Sequence, residues 1–184
     1  LLGSQNDMAT IRLRGYTMSK PLAAAFRPQS LEDVRGQKHL LGKNSVFRMA
    51  VESGALPNMI FYGPSGVGKT TVATIVAKMS NKKLFKLNGT QSSVGDIKDI
   101  ISQIDTIGAE NGILLYLDEI QYLNKKQQQS LLEVIEDGSV TLIASTTENP
   151  YFSVFNAILS RSTIFEFKPL TPEDIARGIN RVIK

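Results

Sequence analysis

The sequence predicts an α/β fold: a three-layer core in which a five-stranded parallel sheet is flanked by helices. Short apolar runs alternate with segments of helical periodicity, the pattern of a parallel sheet covered on both faces. One apolar run leads directly into the glycine-rich stretch Gly63-Pro64-Ser65-Gly66-Val67-Gly68-Lys69-Thr70. Another ends on two adjacent carboxylates, Asp118 and Glu119.

The elements follow in order. Met59-Ile60-Phe61-Tyr62 is a short apolar run ending in glycine, a buried-strand signal. Val72, Ile75, Val76 and Met79 then fall at i, i+3, i+4 and i+7 on one helix face. Leu84-Phe85-Lys86-Leu87 reads as a second strand, and Val94, Ile97, Ile101, Ile104 and Gly108 trace a second helix face. Ile113 to Leu117 is apolar on both faces, as a central strand requires. Asn124 and Gln127 have the spacing of a capping pair, opening a helix through Leu131, Leu132 and Ile135 that stops near Gly138. Val140 to Ala144 is a fourth strand, and Thr163 to Phe167 alternates as a fifth. Thr171 before Pro172 reads as a cap with proline at the first helical position, opening a last helix. Ligands of such sheets bind beyond the carboxyl ends of the strands, where the two chemical motifs fall.

Composition bounds the function classes. A chain of 184 residues suits one domain, or one domain and part of another. It has no cysteine, which removes disulfide frameworks and thiolate metal sites. No run approaches the roughly 18 apolar residues of a membrane span. Asp7, Arg12 and Arg14 interrupt any signal-peptide core. The net charge of +4 is too small to identify a nucleic-acid binder, although a polyanionic ligand is compatible with it. Residues 1–19 lack sustained periodicity and read as a native arm or a non-native remnant, with Met18 as a candidate natural start.

The glycine-rich stretch fits G-x-x-x-x-G-K-[ST], a phosphate-binding loop. Its glycines let backbone N–H groups turn toward phosphate oxygens, and the next helix, beginning near Thr70 and Thr71, aims its N-terminus at the same anion. In such loops the lysine, here Lys69, reaches the β- and γ-phosphates, and the hydroxyl, here Thr70, is a ligand for Mg²⁺. The strand ending in Asp118-Glu119 looks like a Walker B element. Asp118 is expected to hold the metal and Glu119 to orient and polarise the attacking water. A hydroxyl in Ser145-Thr146-Thr147 either reaches the γ-phosphate or the water, or caps its own loop. His39, the single histidine, reads as structural. The aromatic residues read mostly as core.

The segments Pro21-Leu22-Ala23, Arg27-Pro28, Gly36-Gln37 and His39-Leu40-Leu41-Gly42 resemble the N-terminal block of the replication-associated recombination protein A family, which includes the Werner-helicase-interacting ATPases. So do Asp118-Glu119-Ile120, Asn124-Lys125-Lys126-Gln127-Gln128, Glu136-Asp137-Gly138, Thr146-Thr147-Glu148-Asn149-Pro150 and Leu159-Ser160-Arg161-Ser162. The resemblance runs from about residue 20 to the end. It implies a P-loop NTPase of the AAA+ type, related to clamp loaders, with ATP and Mg²⁺ as ligands. It also implies assembly as a tetramer and action on DNA at forks, ends or single-stranded gaps. A single-strand-binding protein and replisome components are the implied partners, and a bacterial cytoplasmic, nucleoid-associated location is the implied setting.

By the same resemblance Thr147 is the sensor-1 residue and Arg161 an arginine finger acting in a neighbouring subunit. Asn88 is the polar switch that restrains Glu119, and residues around Val34 to Gln37 line the adenine pocket. Residues 20–168 are the expected nucleotide-binding core, and 169–184 the start of a largely missing helical lid. The sensor-2 residue, the oligomerisation region and any zinc-finger ubiquitin reader are expected outside the chain. Two departures stand out: Ser65 replaces the usual second proline of the loop, and Gln121-Tyr122 replaces a His-Arg pair. The rival readings are a clamp-loader subunit, a Holliday-junction branch-migration motor, and a nucleotide-gated scaffold that does not turn ATP over.

Overall fold

A computed structural model describes residues 12–13, 16–17, 27–103 and 111–183. The five expected strands all form: β1 (Asn58–Tyr62), β2 (Lys83–Asn88), β3 (Ile113–Asp118), β4 (Val140–Thr146) and β5 (Ser162–Glu166). They make one sheet in the order β2-β3-β4-β1-β5, and every pairing is parallel. Helices α1 (Lys38–Leu41), α2 (Val46–Glu52), α3 (Lys69–Met79), α4 (Val94–Ile101), α5 (Lys125–Glu136), α6 (Pro150–Ser153), α7 (Asn156–Leu159) and α8 (Pro172–Ile183) surround it. Arg12–Leu13 and Tyr16–Thr17 pair separately and antiparallel. The rest of the expected N-terminal arm, and the Ile104 and Gly108 positions of the second helical face, lie outside the described residues.

Strand parity divides the core in two. Ile113, Leu115 and Leu117 of β3 join Ile97, Ile100, Leu131 and Ile135 of α4 and α5 on one side of the sheet. Leu114 and Tyr116 join Val72, Ile75 and Val76 of α3 on the other. On that second side Phe47 of α2 meets Phe165 edge-on at 5.1 Å, and Phe61 packs against Phe167 at 4.9 Å. These rings anchor α2, which buries only Phe47 and Val51 and is too short to give a periodic signal of its own. The expectation of core aromatics holds there, but Tyr122, Tyr151 and Phe152 are exposed.

The expected caps form. Asn124 Oδ1 accepts from the Gln127 N–H at 2.9 Å, and Gln127 Oε1 accepts from the Asn124 N–H at 2.8 Å. Thr171 Oγ1 accepts from the Asp174 N–H at 3.2 Å, with Pro172 as the first helical residue. Ile175 and Ile179, one turn apart, leave an exposed apolar edge on α8.

Gly63 joins β1 to the phosphate-binding loop at a φ of 146°, a region L side chains rarely adopt. A Cβ there would stand 2.1 Å from the carbonyl oxygen of Phe167. That carbonyl belongs to backbone paired with β1, since the Phe167 N–H donates to Tyr62 O at 2.6 Å. Gly63→Ala is therefore expected to cost about 3 kcal/mol or more, from backbone strain and a clash with main chain. Denaturant unfolding measures this as a lowered midpoint. An unchanged midpoint would show that the loop relaxes away from Phe167 freely.

Candidate nucleotide site

The loop after β1, the N-terminus of α3 and the ends of β3 and β4 meet at the carboxyl edge of the sheet. A cavity of about 310 Å³ opens there, lined by Arg27, Ser65, Gly66, Gly68, Lys69, Thr70, Thr71, Asp118 and Glu119. Pro64 and Val67 flank these loop residues, Pro64 exposed and Val67 buried. Gly66 and Gly68 take positive φ, and Gly68 caps α3 in the left-handed conformation. The cavity thus gathers the loop residues expected from sequence with both carboxylates. Arg27 is legible in the sequence only as part of a family-like segment; its place in the cavity depends on how the segment before α1 crosses the sheet edge.

Lys69 is only 7 % exposed. Its Nζ donates to the carbonyl oxygens of Gly63 at 2.6 Å and Pro64 at 2.7 Å. Burial pulls its pKa below the usual lysine value, and the nearby carboxylates of Glu119 and Asp118 oppose that shift. A buried ammonium held by neutral carbonyls is a strong attractor for an anion.

A hydroxyl junction lies beside it. Tyr116 OH is 3.0 Å from Thr70 Oγ1, 3.2 Å from Asp118 Oδ1 and 3.1 Å from Ser145 Oγ. Ser145 Oγ also donates to Asp118 Oδ1. Burial pushes the Tyr116 phenol up to about 12, with the Ser145 and Thr70 bonds offsetting part of the shift. Tyr116 therefore stays a neutral phenol at physiological pH. In the sequence it reads only as a strand residue. Its period-two spacing from Asp118 is the available signal, because residues i and i+2 share a sheet face.

Thr70 and Asp118 thus present two hard oxygen donors around one point. Among the described residues no group of three or more His, Cys, Asp or Glu side chains converges. Mg²⁺ needs no such cage, since it usually takes one or two protein oxygens, with phosphates and waters completing the shell. The donor set fits that ion.

Glu119 adopts φ 56° and ψ 52°, the left-handed region that a non-glycine residue seldom occupies. Ile120, fully buried, pins the turn that follows, and Tyr122 N–H donates to Glu119 O at 3.1 Å. Gly89 permits this turn, because a Cβ there would lie 2.2 Å from Glu119 O. Thr147 Oγ1 is 3.5 Å from Glu119 Oε2, so the expected sensor reaches the expected water-activating carboxylate.

Asn88 and Gln37 have other partners here. Asn88 pairs in register with Asp118, but its Oδ1 accepts from the Thr90 N–H at 2.9 Å and the Thr90 hydroxyl at 2.6 Å. The amide that donates to Glu119 is that of Gln121, at 2.5 Å. Gln37 is 1 % exposed and bonds main chain, donating to Lys168 O at 2.8 Å and accepting from Lys168 N–H at 3.0 Å. It ties the exit of β5 to the loop, while Val34 faces a second cavity with Gly66, Gly68, Thr71 and Leu170. His39 Nε2 pairs with Glu166 O at 2.8 Å, a structural contact.

Arg161 sits just before β5, at the opposite edge of the sheet from Lys69. Its guanidinium is 2.6 Å from Glu136 and donates to Ala157 O at 3.0 Å. Both partners of the ion pair are about half exposed, so the pair adds little stability.

The fold and this site define a nucleotide-binding ATPase domain. The profile described as "ATPase family associated with various cellular activities (AAA)" matches residues 59–170, and the chain belongs to that family. Within it, the resemblance to replication-associated recombination protein A is borne out. The Haemophilus influenzae protein of that name is 39% identical over 165 residues, covering 89% of this chain and 37% of its own length. The Bacillus subtilis protein of that name is 38% identical, covering 89% and 38%. The ATPase WRNIP1 of Dictyostelium discoideum is 41% identical, covering 89% of this chain and 19% of its own length. The chain thus spans under two fifths of each of these relatives. Among solved structures, the Thermotoga maritima RuvB Holliday junction branch migration motor superposes with a TM-score of 0.71 at 30% identity, over 85% of this chain and 53% of that one.

Lys69→Ala removes the buried cation from the loop and is expected to abolish detectable ATP binding. A fluorescent-nucleotide titration measures it, and unchanged affinity would refute the phosphate-loop assignment.

Proposed function

We propose that this chain is the ATP-binding and ATP-hydrolysing AAA+ module of a replication-fork maintenance ATPase, associated with recombination and acting on DNA. The observation that carries the reading is the convergence of Lys69, Thr70, Asp118 and Glu119 on one cavity at the carboxyl edge of the sheet. The names of the similar relatives support the link to replication and recombination, and a bacterial cytoplasmic, nucleoid-associated setting is part of the proposal.

In this reading the loop N–H groups and Lys69 bind the β- and γ-phosphates, with the base on the Val34 side of the loop. Thr70 and Asp118 hold Mg²⁺, which when bound neutralises charge on the phosphate oxygens. The Tyr116 hydroxyl and Ser145 fix the orientation of both ligands. Glu119 accepts a hydrogen bond from the attacking water and aligns it, and Thr147 steadies the same carboxylate. Arg161 contributes to the site of a neighbouring subunit, because its own phosphate loop lies across the sheet. The assembly is a tetramer, whose DNA substrates are forks, ends or single-stranded gaps. A single-strand-binding protein and replisome components are further partners. Residues 169–184 begin a helical lid, a role that suits the exposed Ile175 and Ile179 edge of α8. Without that lid and a neighbour's arginine, residues 1–184 alone turn ATP over weakly. The buried cation and the aligned carboxylate weigh against a scaffold without turnover.

Glu119→Gln keeps the shape of the side chain and loses its charge, so the full-length variant is expected to bind ATP and not hydrolyse it. Turnover at the wild-type rate would remove Glu119 from catalysis.

Arg161→Ala and Lys69→Ala are each expected to be inactive in the full-length protein, because an arginine supplied to a phosphate site contributes about 10³–10⁵ in rate. Mixed, they are expected to regain partial activity, because an intact Arg161 then faces an intact loop. Mixed assemblies without activity would return Arg161 to a surface role. Measuring wild-type turnover with forked, gapped and blunt DNA tests the proposed substrate class.

A further inference from the structure

Glu119 carries a partner that neither the motifs nor the family profile assigns. Gln121 Nε2 lies 2.5 Å from Glu119 Oε2 and 3.4 Å from Thr147 Oγ1. Thr147 Oγ1 is itself 3.5 Å from that same Oε2. Two polar groups, from the segments after β3 and β4, thus close a triangle with one carboxylate oxygen. Gln121 Oε1 is buried and has no hydrogen-bond partner, the one such side-chain atom among the described residues.

Those two facts belong together. A carboxylate only accepts, so the amide must turn its NH₂ toward Glu119. A flip would set Gln121 Oε1 against Glu119 Oε2 and leave a buried N–H₂ group unmatched. The orientation is therefore dictated by the carboxylate, and the orphaned oxygen is its cost. A glutamine that merely filled the turn would face its acceptor to solvent or to a backbone N–H, since burying an unmatched polar atom is unfavourable. The backbone supports the same end. Glu119 stands in a left-handed conformation, and the short helical turn Ile120–Tyr122 swings Gln121 back alongside it.

We propose that Gln121 is a positioning residue for Glu119. Its carboxamide, with Thr147, holds Oε2 and leaves Oε1 of Glu119 as the oxygen that aligns the attacking water. The inference rests on the proposed catalytic role of Glu119. It also couples the two loops, because Thr147 rides on the end of β4 and touches the same amide. Displacement of the β4 loop then reaches the carboxylate through Gln121 as well as directly.

The test uses the full-length protein. Gln121→Met removes the donor at nearly constant volume. Gln121→Asn keeps a polar amide but is one methylene too short to reach Oε2, which separates loss of the bond from insertion of an apolar group. Both are expected to lower kcat about tenfold or more, the usual weight of a hydrogen bond to a charged group. The KM for ATP and the affinity for a fluorescent nucleotide are expected to stay at wild-type values. A kcat at or above wild type for both variants would overturn the proposal, as would a loss of nucleotide affinity equal to the loss in kcat. If Glu119→Gln itself turned over normally, the catalytic reading would fail first; if it were inactive while both Gln121 variants were normal, only the positioning role would fail.

Discussion

Side chains alternate across a β-strand, and in β3 that alternation builds both a core and a site. Ile113, Leu115 and Leu117 face α4 and α5, while Leu114 and Tyr116 face α3. Asp118 continues the second series beyond the last buried position. In β4, Leu142 and Ala144 go one way and Ile143 the other, so Ser145 shares the α3 side. The register pairs Leu117 with Ala144 and so brings Asp118 level with Ser145. A slip of one residue in β3 would turn the Asp118 carboxylate to the α4–α5 side, and a slip in β4 would do the same to the Ser145 hydroxyl. The apolar pattern that holds the sheet therefore also sets the coordinates of the proposed metal ligands.

The same constraint explains what the sequence made legible. Five strands, the helix after the loop and two capped helices all leave periodic or local signals, and all formed where those signals lay. The loop and the Asp118-Glu119 pair depend on contiguous residues, so spacing alone located them. Gln37, Asn88 and Gln121 were not separable in that way. Each is an amide near the sheet edge, and which one touches Glu119 depends on the left-handed turn at Glu119 and on the Gly89 contact. Neither feature has a periodic signature. Tyr116 was hidden for a related reason: its hydroxyl matters only because α3 and β4 bring oxygen atoms to it beside Asp118 of its own strand.

The family-like segments gain physical meaning from their contacts. Gln127 completes the cap of α5 and also donates to Ser92 O at 2.6 Å, fastening α5 to the loop after β2. Gln128 is buried, donates to Leu123 O at 3.1 Å and accepts from the Phe155 N–H at 2.7 Å. Asn149 caps α6 by accepting from the Tyr151 N–H at 3.0 Å, with Pro150 as the first helical residue. None of these side chains lines the phosphate cavity. They hold the segments after β3 and β4 against each other, so Glu119 and Thr147 meet at a fixed place. Gln127, Gln128 and Asn149 thus brace the chemical groups rather than join them.

The remaining asymmetry is between the two edges of the sheet. Lys69, Asp118 and Glu119 gather at the carboxyl ends of the strands, whereas Arg161 stands at the amino end of β5. Strands rise about 3.3 Å per residue, so the five residues of β5 alone separate these edges by roughly 15 Å. No rotamer of Arg161 closes that gap, and its present partners, Glu136 and Ala157 O, are exposed and weakly held. An arginine so placed can serve a phosphate site only in a second copy whose carboxyl edge meets this amino edge. That contact is heterologous, joining unlike faces, and such contacts close into rings or extend as helices. The proposed tetramer is a closed solution of that geometry. If Arg161 serves a neighbouring site as proposed, its release from Glu136 is part of the cost of docking.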